Sequence, residues 1–333
     1  MTSWSLRAPS VIALLAALGG CSGDDPIVEE DTAASVVTRG RYLVNNVAQC
    51  AFCHTPLLPD GTRDSARLFA GDPCLVDVVP EDPSVGCLPS RNLTPHATGL
   101  RNRSDAEIKA MLRDGVRPDG KAMAGVMPYW VFHNMTDGDL DAIVAYLRTL
   151  TPVENMIPAR QPPWDGLPAP TPPLDPAGIP APPDDHPQRE RAMHGRYLAT
   201  MAGLCVDCHT PDLPPNDPQA FLIVDRTRLF QGNRVFPSFA LGLPSPPYPP
   251  VVLTANLTPD RDTGIGRYTV ADLVRLMRTG KDLEGKYLCA ATHGGPTSPY
   301  AALEDGDVED IAIYLLSLAP VASPVAGTCE GIQ

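Results

Sequence analysis

The order of apolar and polar positions predicts helices in two widely separated stretches of the chain. Leu140, Ile143, Val144 and Leu147 recur at the i, i+3, i+4, i+7 spacing that places four side chains on one helical face. Val308, Ile311, Ala312 and Leu315 repeat that pattern near the other end. A second signal precedes each. Ser104-Asp105-Ala106-Glu107 has the spacing of a capping box, and Gly115 sits where a left-handed residue would end that helix. Thr269-Val270-Ala271-Asp272 and Gly280 occupy the same places in the later stretch. No apolar–polar alternation of period two is sustained long enough to build a sheet. The expected class is all-α, a few helices joined by long loops.

The parallel extends to residue identity. GRYLVNNVAQCAFCHTP from Gly40 and GRYLATMAGLCVDCHTP from Gly195 are offset by 155 (195 − 40). RLFAGD at Arg67 matches RLFQGN at Arg228, and NLTP occurs at Asn92 and again at Asn256. LRDG ending at Gly115 matches MRTG ending at Gly280, and DAIVAYLRTL matches DIAIYLLSL. Matches in one order imply tandem duplication of a domain of roughly 110–130 residues. Between the copies, 158–188 is so rich in proline that helix and sheet are both barred, which predicts a semi-rigid linker of polyproline type. Trp164 and Leu174 are its candidate contacts with the flanking domains. The expected organisation is a lipoprotein-type signal peptide over 1–20, domains over 34–153 and 191–333, and a Pro-rich linker over 154–190.

Composition narrows the function. The 333 residues include 39 prolines and 6% aromatics, which predicts long loops and small cores. A net charge of −13 argues against nucleic acid as a partner. Lysine occurs only at 109, 121, 281 and 286, too few for a ring that docks acidic partners. The acidity is read as solubility of an exported protein. Near the start, Arg7 precedes an apolar run, Val11 to Leu18, that is too short to span a bilayer. Leu18-Gly19-Gly20-Cys21 resembles the lipobox of bacterial lipoproteins. That resemblance implies a lipid on Cys21 and a protein in a Gram-negative periplasm, held to the membrane through the lipid only. An ordinary cleaved secretory signal is the alternative, and either one exports the chain.

Nine cysteines then need roles. Cys21 is the lipidation candidate, and Cys50, Cys53, Cys205 and Cys208 form two tight pairs. In an oxidising compartment the other four are candidate disulfides, Cys74–Cys87 within one loop and Cys289–Cys329 stapling the C-terminal tail. Both tight pairs read C-x-x-C-H, ending in His54 and His209. Two thiols at this spacing add to the two vinyl groups of haem, and the adjacent histidine becomes the proximal iron ligand. A thioredoxin-like pair requires a strand–helix context and no histidine, and structural zinc requires pairs that close on one site. The cofactor reading is therefore two covalently bound haem c groups, each with its iron.

With these motifs placed, the chain resembles bacterial class I cytochrome c domains over 38–152 and 193–321. The resemblance rests on GRYL…C-x-x-C-H-T-P, NLTP…TG and MPY…MTDGDLDAIVAYLRTL. It implies that the helix before each C-x-x-C-H crosses the last helix of its domain, through Gly40 and Tyr42 with Tyr146, and through Gly195 and Tyr197 with Tyr314. It also implies a methionine as sixth iron ligand. Met127 in GVMPYW is the match, with Met123 and Met135 as alternatives; Met135 and Met111 read as core. In the second copy, aligning DGK at 119–121 with EGK at 284–286 puts Thr292 at the Met127 position (127 + 165), and no methionine follows Met277. Met277 aligns with Leu112 and reads as core. His293 is the nearest competent donor and is taken as the sixth ligand of the second haem, the alternative being a plain loop histidine beside an open iron. His96, His133, His186 and His194 read as solvated loop or helix-end residues.

The functional expectation is a carrier of single electrons between redox proteins, with a dehydrogenase as donor or an oxidase or cytochrome as acceptor, and with no catalytic residues. The alternatives are a dihaem peroxidase-like enzyme, kept open by the missing methionine, and the electron-accepting cytochrome subunit of a periplasmic dehydrogenase.

Overall fold

The structure, a computed structural model, describes residues 1, 32–78, 81–214, 224–237, 249–288 and 298–325. Its helices are α1 (Ala33–Tyr42), α2 (Cys50–His54), α3 (Asp105–Asp114), α4 (Tyr129–Phe132), α5 (Asp137–Thr149), α6 (Arg189–Tyr197), α7 (Cys205–Cys208), α8 (Val270–Thr279) and α9 (Asp305–Leu316). The fold is mostly helical, but two small antiparallel ribbons depart from the all-α expectation. Strand β1 (Val76–Asp77) pairs with β2 (Cys87–Leu88), and β3 (Val235–Pro237) pairs with β4 (Val251–Leu253). Strands of two and three residues are too short to show a period-two pattern, which is why the sequence reading missed them.

The predicted caps are present. Ser104 Oγ accepts the Glu107 N–H at 3.2 Å, and the Glu107 carboxylate accepts the Ser104 N–H at 2.7 Å. Thr269 and Asp272 repeat the box at the start of α8. Gly115 and Gly280 end these helices at φ 62° and 68°, a conformation that an L side chain resists. The predicted apolar faces of α5 and α9 are buried, from Leu140 to Leu147 and from Val308 to Leu315.

Helix α1 crosses α5, and α6 crosses α9, backbone against backbone. A Cβ added at Gly40 would lie 1.8 Å from the Ala142 carbonyl oxygen, and one at Gly195 would lie 1.8 Å from that of Asp310. Both crossing helices then widen into a π-helical turn, Leu43–Val47 and Leu198–Ala202, which delivers the chain to the C-x-x-C segments. The two turns approach each other: a Cβ on Gly203 would sit 3.3 Å from the Val47 carbonyl oxygen.

The hydroxyls of Tyr42 and Tyr197 make contacts that the resemblance does not imply. Each hydroxyl reaches across to the other half. Tyr42 donates to Asp307 at 2.7 Å and accepts the Glu304 N–H at 3.2 Å, at the start of α9. Tyr197 donates to Asp139 at 2.5 Å and accepts the Thr136 N–H at 3.3 Å, at the start of α5. A helix N-terminus has spare N–H donors, and a carboxylate in its first turn is a ready acceptor, so a phenol that donates and accepts fits it on both counts. The proline-dense segment also touches both halves. Trp164 is buried, with its indole N–H on the Gly86 carbonyl, and Asn134 holds the Leu174 carbonyl. Further along, Arg196 and the Tyr314 hydroxyl both reach the Pro180 carbonyl.

Candidate functional site

Helices α2 and α7 are single turns that present Cys50, Cys53 and His54, and Cys205 and Cys208 followed by His209. The four sulfurs form no disulfide, whereas Cys74 and Cys87 are bonded, with their Cα atoms 5.2 Å apart. Burial pushes the Cys50 thiol up to about 12 and the Cys53 and Cys205 thiols to about 11; Cys208 is raised further. A redox C-x-x-C pair works through a depressed thiolate pKa. These shifts run the other way.

His54 and His209 are buried, and both imidazoles are oriented in the same way. Nδ1 of His54 lies 2.7 Å from the Arg91 carbonyl oxygen, and Nδ1 of His209 lies 2.7 Å from that of Ala255. A carbonyl can only accept, so Nδ1 carries the proton and Nε2 carries the lone pair. Burial lowers the pKa of both rings, only partly offset by these hydrogen bonds, and keeps them neutral as a metal ligand must be.

The repeated NLTP motif holds those two carbonyls in place. Arg91 directly precedes Asn92, and Ala255 directly precedes Asn256. The Asn92 side-chain oxygen accepts the Thr94 N–H at 2.9 Å, and its amide donates to the Val153 carbonyl at 2.9 Å, pinning the loop to the chain that leaves α5. Asn256 does the same with Thr258 and Val321, at 2.9 and 2.8 Å. In the sequence the motif marks the repeat; its place against the histidine-bound carbonyl is a backbone feature that residue identity does not show.

All six residues of the two C-x-x-C-H sets line one cavity of about 890 Å³ with largely apolar walls. Met127 and Met123 border it beside the first set. Met111 and Met277, assigned to the core on sequence, border it too, because the inner faces of α3 and α8 form part of its wall. Met135 is buried, as is its counterpart Leu303. His293, Cys289, Cys329 and Cys21 lie outside the described residues. Of the remaining histidines, His96 bonds Thr98, His133 bonds the Arg113 carbonyl and His194 pairs with Asp310.

Residues 35–147 match the family described as Cytochrome C oxidase, cbb3-type, subunit III. The chain is 27% identical over 296 residues to the fructose dehydrogenase cytochrome subunit of Gluconobacter japonicus, across 85% of this chain and 52% of that one. It is 28% identical over 306 residues to the cytochrome c subunit of the quinone alcohol dehydrogenase of Komagataeibacter europaeus, across 87% and 58%. A diheme cytochrome c-type protein of Cereibacter sphaeroides is 36% identical over 143 residues, 41% of this chain and 44% of that one. The chain thus spans about half the length of the curated relatives it matches. A cytochrome c domain implies covalently held haem c with its iron. The site fits that group: buried thiols in pairs, a neutral imidazole with its lone pair on Nε2, and an apolar cavity between them.

Proposed function

We propose that this chain is a two-haem electron-transfer cytochrome that carries single electrons between redox protein partners. The observation that carries the reading is the doubled set of two thiols and one oriented histidine opening onto a single cavity. Haem c, when bound, supplies an iron that gains or loses one electron without a bond being broken. The rest comes from the chain. Cys50 and Cys53 anchor one group and Cys205 and Cys208 the other. His54 and His209 present Nε2 as the proximal donor, held against rotation by the Arg91 and Ala255 carbonyls. With haem bound, Met127 would supply the further donor to the first iron and His293 that to the second. The apolar walls exclude water, so little surrounding charge has to reorganise when an electron arrives.

The same reading takes 34–153 and 191–333 as tandem domains, 154–190 as the Pro-rich linker between them, and 1–20 as a lipoprotein-type signal that leaves Cys21 acylated in the periplasm. No helix among the described residues is long and apolar enough to cross a membrane. The names of the relatives, cytochrome subunits of fructose and alcohol dehydrogenases, support a dehydrogenase as the electron donor. Mass spectrometry of the mature protein tests the core of the proposal. Two haem additions are expected, and one after Cys50→Ala with Cys53→Ala. A chain that binds zinc and no haem would overturn it, and a wild-type second iron that binds cyanide freely and turns over peroxide would favour the peroxidase-like enzyme.

A further inference from the structure

The two ends of the cavity differ in charge. Arg91, Arg103, Arg117 and Arg160 line the first end, and no carboxylate does. At the second end the described wall carries one of each sign, Asp262 and Arg267. The segments of the second half outside the description, 215–223, 238–248, 289–297 and 326–333, contain no lysine or arginine, so they add no cation there.

Three of the first-end arginines are held close together. Arg91 Nη1 donates to the Ile157 and Pro158 carbonyls, Arg160 Nη1 donates to the Ala122 carbonyl at 2.6 Å, and Arg117 pairs with Asp119 at 2.8 Å. Burial first, and then the charge of Arg117, lower the pKa of both Arg91 and Arg160. Asp119 and Asp165 are the carboxylates that act against this repulsion. Among the described residues, neither Arg91 nor Arg160 forms an ion pair, and Arg160 Nη2 is buried with no hydrogen-bond partner. A buried donor on a charged group is costly to leave unsatisfied, and a guanidinium fork matches a carboxylate. In a chain of net charge −13, three guanidiniums gathered at one cavity wall, with Arg117 alone ion-paired among the described residues, leave Arg91 and Arg160 able to take an anion.

We propose that Arg91, Arg117 and Arg160 bind the carboxylates of the tetrapyrrole held by Cys50, Cys53 and His54, and that the second group has no such partners. This rests on the two-haem reading above. Positive charge beside a redox centre favours its reduced form, so the cluster raises the potential of the first haem selectively.

The test is a redox titration of the full-length Arg117→Gln/Arg160→Gln protein, with haem content checked by mass spectrometry. The methionine–iron charge-transfer band expected of the first site would mark its midpoint. With two haems attached, the reduction equilibrium of the first should fall about tenfold, which is about 59 mV for one electron. The second should stay fixed. Arg117→Gln alone, at a position about one-third exposed, should show a smaller fall and serves if the double variant does not fold. Arg41→Gln, the same charge change at an exposed site on α1, should move neither midpoint. An unchanged first midpoint, or equal falls in both haems, would overturn the inference while leaving the haem count and the electron-transfer reading intact. A wild-type midpoint that depends on added phosphate, with that dependence lost in the variant, would assign the cluster to a free anion and overturn it as well. Absence of haem from the wild type would instead strike the functional reading.

Discussion

Gly40 under Ala142 and Gly195 under Asp310 leave the same 1.8 Å for a Cβ, and His54 and His209 keep the same 2.7 Å to a carbonyl. Among the described residues the walls around those histidines differ: four arginines at one end, one arginine and one aspartate at the other. The Met127 position holds Thr292 in the second half. The disulfide-bonded ribbon β1–β2 stands where the second half has β3–β4, with no cysteine in either strand. Backbone contact and histidine orientation have one geometric solution, so both halves retain it. Charge acts through energy rather than fit, and it separates the halves; the proposed sixth ligands would separate them further.

The shared part should be the most sensitive to change. Gly40→Ala or Gly195→Ala forces helices apart at a backbone-to-backbone crossing, and each should cost at least ~3 kcal/mol. Guanidinium denaturation followed by haem absorbance would measure this. An alanine tolerated in one half alone would show that the crossing is not the common constraint.

The divergent part should respond asymmetrically. Met127→Ala should abolish the methionine–iron charge-transfer band and lower the potential of that haem, because thioether ligation favours the ferrous form. His293→Ala should leave the band and open the second iron to external ligands. An unchanged low-spin spectrum in the His293→Ala protein would rule that histidine out and leave the second site's donor set unassigned.

The contacts between halves rank next. Asp139 accepts Tyr197 and a two-point pair from Arg39, whereas Asp307 accepts Tyr42 and lies 3.8 Å from His194. Arg39 is about one-third exposed, which discounts its pair. Asp139→Ala should therefore cost about 2–3 kcal/mol and Asp307→Ala about 1–2 kcal/mol. Denaturation of both variants under one condition gives the ranking, and equal losses would mean that the Arg39 pair contributes nothing.

Much of this architecture could be read along the chain because it repeats at fixed spacing. Capping boxes, apolar faces and the C-x-x-C-H sets are local patterns, and all lie where expected. Three features were hidden for physical reasons. Tyr42 and Tyr197 follow the glycines of the helix crossings, so sequence alone ties them to their own halves; only the close approach of the two π-helical turns lets them cross. The Arg91 and Ala255 carbonyls are backbone groups, which leave no mark in residue identity. Arg160 lies in the proline-dense segment, whose composition describes a spacer. Its charge acquired meaning once that segment was seen folded back against Ala122 and the cavity wall.

The mildest test of the exchange between halves uses pH. Burial first, and then the hydrogen bond to Asp139, hold the Tyr197 phenol up at about 12, against an ordinary value near 10. A group whose folded pKa is raised contributes stability that is fully present below its unfolded value and is lost as pH climbs through the folded one. The contribution of Tyr197 is therefore intact at pH 7 and should fade between about pH 10 and pH 12. Tyr197→Phe lacks the hydroxyl at every pH. It should be about 1–2 kcal/mol less stable than wild type at pH 7, and the gap should narrow as pH rises past 10. Tyr42→Phe should behave alike, with the narrowing starting at the same pH and continuing further upward, since that phenol is raised further by burial and by its bond to Asp307. Denaturation midpoints of wild type and both variants across this range measure the effect. A gap that stays constant to pH 12 would mean that both phenols ionise in the fold as they do in the unfolded chain, and the crossed hydroxyls would then be a packing contact without an electrostatic share.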